Sequence, residues 1–86
     1  MRFSIEFTKS SIKELKNLPK SIQELLKRSI SERLETDPLS YGKPLRKQLI
    51  GFRSLRVSSY RIIYKIEEIK NNVIIIKVGI RRDVYN

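Results

Sequence analysis

The chain has 86 residues, 19 of them lysine or arginine against 9 acidic, with no cysteine and no histidine, for a net charge of +10. One domain with one core fits that length, whereas a disulfide framework, thiol-ligated zinc and the commonest neutral-pH acid–base group are excluded. No apolar run approaches the roughly 18 residues of a membrane span, and no signal-peptide segment opens the chain. The expectation is a cytoplasmic protein, a single domain over residues 1–86, working without membrane, metal or small-molecule cofactor.

Residues 2–7 alternate, with Phe3, Ile5 and Phe7 on one side and Arg2, Ser4 and Glu6 on the other, the pattern of a half-buried strand. Thr8 or Ser10 can cap a short helix carrying Ile12 and Leu15 inward, and Leu18-Pro19 ends it, because proline disfavours helical geometry in the residue before it. A second helix is expected from Lys20 or Ser21 to Glu35, with Ser21 and Glu24 as a capping box. Its apolar stripe is Ile22, Leu25, Leu26, Ile30 and Leu34, and Lys27, Arg28, Glu32 and Arg33 lie off it. Residues 36–44 (TDPLSYGKP) are dense in turn formers and read as a plain connector, although Tyr41 and Gly42 could give it a function. Residues 45–51 read as an irregular lead-in.

From Phe52 onward the pattern is strand-like: residues 52–57, a turn at Ser58-Ser59, residues 60–66, a polar turn over 67–72, and a β-branched strand over 73–79. The order β-α-α-β-β-β implies an α+β fold, a helical hairpin packed on one face of a mostly antiparallel sheet. A two-residue turn dictates the register: Val57 opposite Tyr60, Arg56 opposite Arg61, Leu55 opposite Ile62. Two arginines directly opposed on one face destabilise a sheet, so stability does not ask for them and a phosphate does.

Alternation assigns Leu55, Val57, Tyr60, Ile62, Tyr64 and Ile66 to the helix side, together with Ile74, Ile76, Val78 and Ile80 of the last strand. The open face then combines Arg56, Arg61, Lys65, Lys77 and Arg81 with Phe52, Ile63 and Ile75, a basic surface interleaved with apolar and aromatic groups that suits RNA. Arg53 falls on the helix side by parity and is expected to snorkel at the sheet edge. Residues 1–42 hold 8 basic and 6 acidic side chains, while residues 43–86 hold 11 and 3, so the strand-rich half is the one that draws a polyanionic partner.

The run GFRSLRVSSYRIIY (residues 51–64) with VIIIKVGIRRDVY (residues 73–85), together with the Leu18-Pro19 break between the helices, resembles the RelE/ParE superfamily of type II toxin–antitoxin toxins over essentially the whole chain. The resemblance implies a RelE-like endoribonuclease that cleaves messenger RNA in the ribosomal A site by 2′-OH attack without a metal, and a cognate antitoxin that blocks it. Alternatives are a ParE-like toxin that poisons DNA gyrase, or an inactive homologue that binds only RNA or antitoxin. Carried over by position, the catalytic set is Arg56, Arg61, Arg81 and Tyr85, the last stacking on a base, with Arg53, Lys65, Lys77 and Arg82 as further RNA contacts. Three departures stand out: Ser58-Ser59 replaces the family's Gly-Asp turn, Phe52, Arg53 and Ser54 stand where relatives often place lysines or an arginine, and Ile80 stands where many have histidine. The arginines can hold the phosphorane charge, but they remain protonated and are poor bases. That leaves Lys47, Lys65, Lys77 or Asp83 as the groups that could take the 2′-OH proton.

Overall fold

The alternating N-terminal residues form the strand β1 (Ser4–Phe7), and Thr8 then caps the helix α1 (Lys9–Lys16), its hydroxyl accepting from the Ser11 amide at 3.1 Å. The computed structural model describes residues 2–80. The helix α2 (Lys20–Ser29) starts one residue before the expected cap: Pro19 is the N-cap residue, and its carbonyl accepts from the Ile22 and Gln23 amides at 3.0 and 2.9 Å. Ser21 therefore sits inside the first turn, and the Ser21–Glu24 capping box does not form. Gln23 takes up the role of a clasp instead, its Nε2 donating to Leu18 O at 2.9 Å and to Lys16 O at 3.2 Å across the junction of the two helices.

The second helix continues through a π turn over Ile30–Leu34, in which the Glu35 amide reaches the Ile30 carbonyl at 3.0 Å. Leu26, Ile30 and Leu34, spaced four apart, are all buried, so the wider turn keeps one apolar stripe against the sheet. Residues 36–44 are more than a connector. Asp37 caps a one-turn helix, α3 (Pro38–Tyr41), with Pro38 in its first turn, and the short strand β2 (Lys43–Pro44) follows. A 3₁₀ turn (Lys47–Leu49) lies within residues 45–51.

Three longer strands complete the sheet: β3 (Arg53–Val57), β4 (Tyr60–Glu67) and β5 (Asn72–Ile80), in the spatial order β1-β5-β4-β3-β2. β1 runs parallel to β5, and the other pairings are antiparallel. The β3–β4 register is the expected one, pairing Val57 with Tyr60, Arg56 with Arg61 and Leu55 with Ile62. Ser58 turns the chain with φ +56°, the left-handed region that tight hairpins require. Asn71, at φ +50°, closes the β4–β5 turn in the same region, which asparagine tolerates.

One face of the sheet meets the helices. Leu55, Val57, Ile62 and Tyr64 lie in that core, as their alternation requires. The phase of β5 differs from expectation over residues 73–76: Val73 and Ile75 are buried in the core, and Ile74 and Ile76 are not. The cause is a bulge. Tyr64 pairs with Ile75 and Ile63 with Lys77, so Ile76 is the extra residue, and the expected phase resumes at Lys77 and Val78. The bulge lies where β1 ends and α1 takes over the edge of β5. There the Ile75 carbonyl accepts from the Thr8 amide at 3.1 Å and the Ser11 hydroxyl at 2.9 Å, and Glu14 Oε1 accepts from the Val78 amide at 2.9 Å.

The segment carrying α3 is fastened to the sheet from below. Tyr64, fully buried, donates its hydroxyl to the Pro38 carbonyl at 2.6 Å. Its partner across the strands, Arg53, donates Nη2 to the Leu39 and Gly42 carbonyls, both at 2.7 Å. Only glycine fits at position 42, because a Cβ there would collide with the Tyr64 hydroxyl. Burial pushes the Tyr64 pKa above its ordinary 10.0, against the opposing pull of the Arg53 guanidinium.

Replacing Tyr64 by phenylalanine strands a buried carbonyl and is expected to lower stability by about 1–3 kcal/mol in denaturant unfolding near neutral pH. Below 10.0 folded and unfolded chains both keep the Tyr64 proton; above it the unfolded chain ionises first and the native advantage declines toward the higher folded pKa. The stability gap between wild type and Tyr64→Phe should therefore narrow as pH rises above 10.0.

Candidate functional site

Arg56 and Arg61 share the face opposite the core, held side by side by the hairpin pleat. Arg56 is exposed; Arg61 is half-buried, its Nη1 directed at the buried Ser54 hydroxyl 3.4 Å away. Register adds Lys43, which pairs with Ser54 and so joins the same face from β2. At the rim stand Arg33, from the π turn, and Tyr41, the last residue of α3, with the guanidinium carbon 5.9 Å from the ring centroid. Together with Ser54 and Leu55 these residues line a cleft of about 300 Å³.

Of the described residues, four cations and one aromatic ring thus line the cleft. Among the described residues, no carboxylate lies within ion-pair distance of Arg33, Lys43 or Arg56; the ion pairs there are Arg2–Glu35 and Lys77–Glu14. A like-charged group of this kind costs stability and gains it back when an anion with several oxygens enters, which guanidinium forks grip two at a time. Arg33 and Arg56 also border a second groove of about 480 Å³, lined by Leu25, Ser29, Val57 and Ser58, so the cationic surface continues past the cleft along the part of β3 that lies beyond its pairing with β2.

Placement of the other expected residues is uneven. Arg53 lies on the helix side, as its parity requires, and its guanidinium is turned to the loop carbonyls rather than to the open face. Lys77 is exposed on the open face, but its ammonium meets Glu14 Oε2 at 3.0 Å, beside the edge of β5. Lys65 pairs with Ile74, four residues along β4 from Arg61 and outside the cleft lining. Lys47 sits exposed on the 3₁₀ turn and is also absent from the lining. Arg81, Arg82, Asp83 and Tyr85 lie outside the described residues. Ile63, expected on the open face, keeps that parity opposite Ser54 and Lys77 but is 5% exposed. Arg33, Tyr41 and Lys43 are the cleft residues that pattern reasoning did not select. Only the position of Tyr41, beside Gly42 in a turn-rich stretch, carried a signal.

The sequence matches the family described as "ParE toxin of type II toxin-antitoxin system, parDE" over residues 5–85. It is 34% identical over 85 residues to the toxin RelG of Mycobacterium tuberculosis, covering 99% of this chain and 98% of the relative. It is 32% identical over 89 residues to the mRNA interferase toxin RelE of Escherichia coli, covering 100% of this chain and 93% of the relative. In three dimensions it is similar to a chain in the crystal structure of the RelBE2 toxin–antitoxin complex from M. tuberculosis, with a TM-score of 0.90, 32% identity, and coverage of 94% and 93% of the two chains.

A repulsive cluster has a thermodynamic signature. Arg56→Thr is expected to raise the melting temperature at low ionic strength, equivalent to a gain of a few tenths to about 1 kcal/mol. The gain should shrink as salt screens the repulsion in the wild type, measured by thermal melts across a salt series.

Proposed function

Because the chain belongs to the ParE toxin family of type II toxin–antitoxin systems, we propose that it acts as a RelE-like endoribonuclease that cuts messenger RNA on the ribosome and arrests translation. The cationic cleft carries this reading: Arg33, Lys43, Arg56 and Arg61 line one space of nucleotide scale, with an aromatic ring at its rim. A phosphodiester brings the anionic oxygens such a cleft attracts, and its flanking bases bring flat faces.

In this reading the 2′-oxygen of the substrate attacks the adjacent phosphorus, the bond to the 5′-oxygen breaks, and a 2′,3′-cyclic phosphate remains. Arg56 and Arg61 hold the non-bridging oxygens as charge builds on the phosphorane. Fixed in advance by the hairpin, they need little reorganisation when that charge appears. The 2′-OH proton requires a group other than arginine. Of the described groups lining the cleft, Lys43 is the candidate base in place of Lys47, Lys65 and Lys77, none of which lines it, and Asp83, outside the described residues, stays the carboxylate candidate. Arg81 and Tyr85 keep their proposed roles on the leaving-group side and as a base-stacking residue, and Arg82, Lys65 and Lys77 act as outer contacts to the RNA backbone. Arg53 serves by position, holding the Tyr41 segment. The partner that silences the protein is a cognate antitoxin whose acidic or amphipathic segment covers the cationic face, in keeping with the 11 basic and 3 acidic residues over positions 43–86.

Induced expression is expected to arrest translation with messages cut at ribosome positions. Arg61→Ala should relieve the arrest and abolish the cuts, and Lys43→Met should slow cleavage by about 10²–10⁴-fold if it is the base. Mapping message 5′ ends after induction checks this. Intact messages during arrest would contradict the nuclease reading, and DNA-damage signalling in their place would favour gyrase poisoning.

A further inference from the structure

The segment between the π turn and β2 is fastened more firmly than its length or exposure explains. Over residues 38–42 the carbonyls of Pro38, Leu39 and Gly42 each accept from a side chain of the sheet, at 2.6, 2.7 and 2.7 Å. The donors, Tyr64 and Arg53, are a directly paired couple on neighbouring strands. Asp37 caps the same turn, its carboxylate accepting from the Ser40 amide at 3.3 Å. A bare glycine at 42 lets Tyr64 approach closely. The turn held this way leaves Leu39, Ser40 and Tyr41 exposed, and of these Tyr41, 52% exposed, is the aromatic one. Its ring lies along the cleft and has the Arg33 guanidinium over it.

What marks Tyr41 is not its exposure but its place: an aromatic ring beside the cationic cleft, on a preorganised segment. We propose that Tyr41 forms, with Arg33, a nucleobase subsite: the ring stacks on one base of an RNA strand whose phosphate lies among Lys43, Arg56 and Arg61. The subsite is additional to the stacking role proposed for Tyr85, and it rests on the RNA reading of the cleft, not on cleavage. Stacking recruits any base through its π face, and the larger faces of purines gain most. Arg33 adds charge beside the ring, where it can pair with the adjoining phosphate or lie against the base edge. The half-buried Arg53 and the buried Tyr64 are positioning residues for this platform.

The test uses a short RNA with 2′-O-methyl riboses, which cannot support 2′-OH attack, carrying a single 2-aminopurine whose fluorescence is quenched on stacking. Wild type should bind it with quenching, and Tyr41→Phe and Tyr41→Trp should do the same within about twofold, since the ring is what stacks. Tyr41→Leu should lose the quench and weaken binding by about 5- to 150-fold, the range for removing one base–aromatic stack. Unchanged melting curves would show that each variant is folded, as expected for a half-exposed side chain. Equal affinity and quenching in wild type and Tyr41→Leu would overturn the subsite, as would wild type binding without any quench. Tyr41-dependent quenching in a protein that leaves messages intact in cells would support the subsite while contradicting the endonuclease reading.

Discussion

The register of the β3–β4 hairpin places Leu55, Val57 and Ile62 in the core and, through the same pleat, forces Arg56 and Arg61 together on the other face. Slipping the pairing by one residue would send the apolar set to the open face and the arginines inward. Core and cationic site are thus two readings of one constraint. A protein that cannot fold without forming its site needs no separate event to assemble it, and its charge repulsion is carried by hydrophobic burial on the opposite side of the same strands.

The second organising feature is the bracing of residues 38–42. Arg53 could have been an open-face cation had the parity been different. On the helix side, its guanidinium joins the Tyr64 hydroxyl in saturating the carbonyls of the α3 segment. Lys43 follows that segment directly and enters the sheet opposite Ser54, so the same bracing that holds Tyr41 also sets the edge strand that delivers a lysine to the cleft. Site residues from the π turn, a one-turn helix and three strands are brought within one space because the loop between them has little freedom.

Much of this is written locally in the chain. The hairpin register follows from alternation about a two-residue turn, and the α+β order follows from an alternating run, two helical stretches and three strand-like runs. The phase of β5 is different in kind: Val73, Ile74, Ile75 and Ile76 are all apolar and β-branched, so no contrast between faces marks which pair turns inward. The bulge at Ile76 is decided by tertiary contacts, where α1 replaces β1 along the strand edge. The unformed Ser21–Glu24 box has a comparable origin, since Pro19 takes the N-cap position ahead of Lys20 and its carbonyl accepts the first helical amides. Arg33 and Lys43 were hidden for a further reason, and Tyr41 was marked only by its turn-rich surroundings: all three are far from the hairpin in sequence, and only the folded loop makes them its neighbours.

Grip on phosphate by the paired arginines would show itself in the salt dependence of RNA binding. With a non-cleavable RNA, log Kd plotted against log salt should be steep for wild type, and its slope should fall by about 0.7 for each phosphate contact removed. Arg56→Ala and Arg61→Ala are each predicted to show that loss. Slopes unchanged in both substitutions would mean that the two arginines face the RNA without holding it, and would contradict the account.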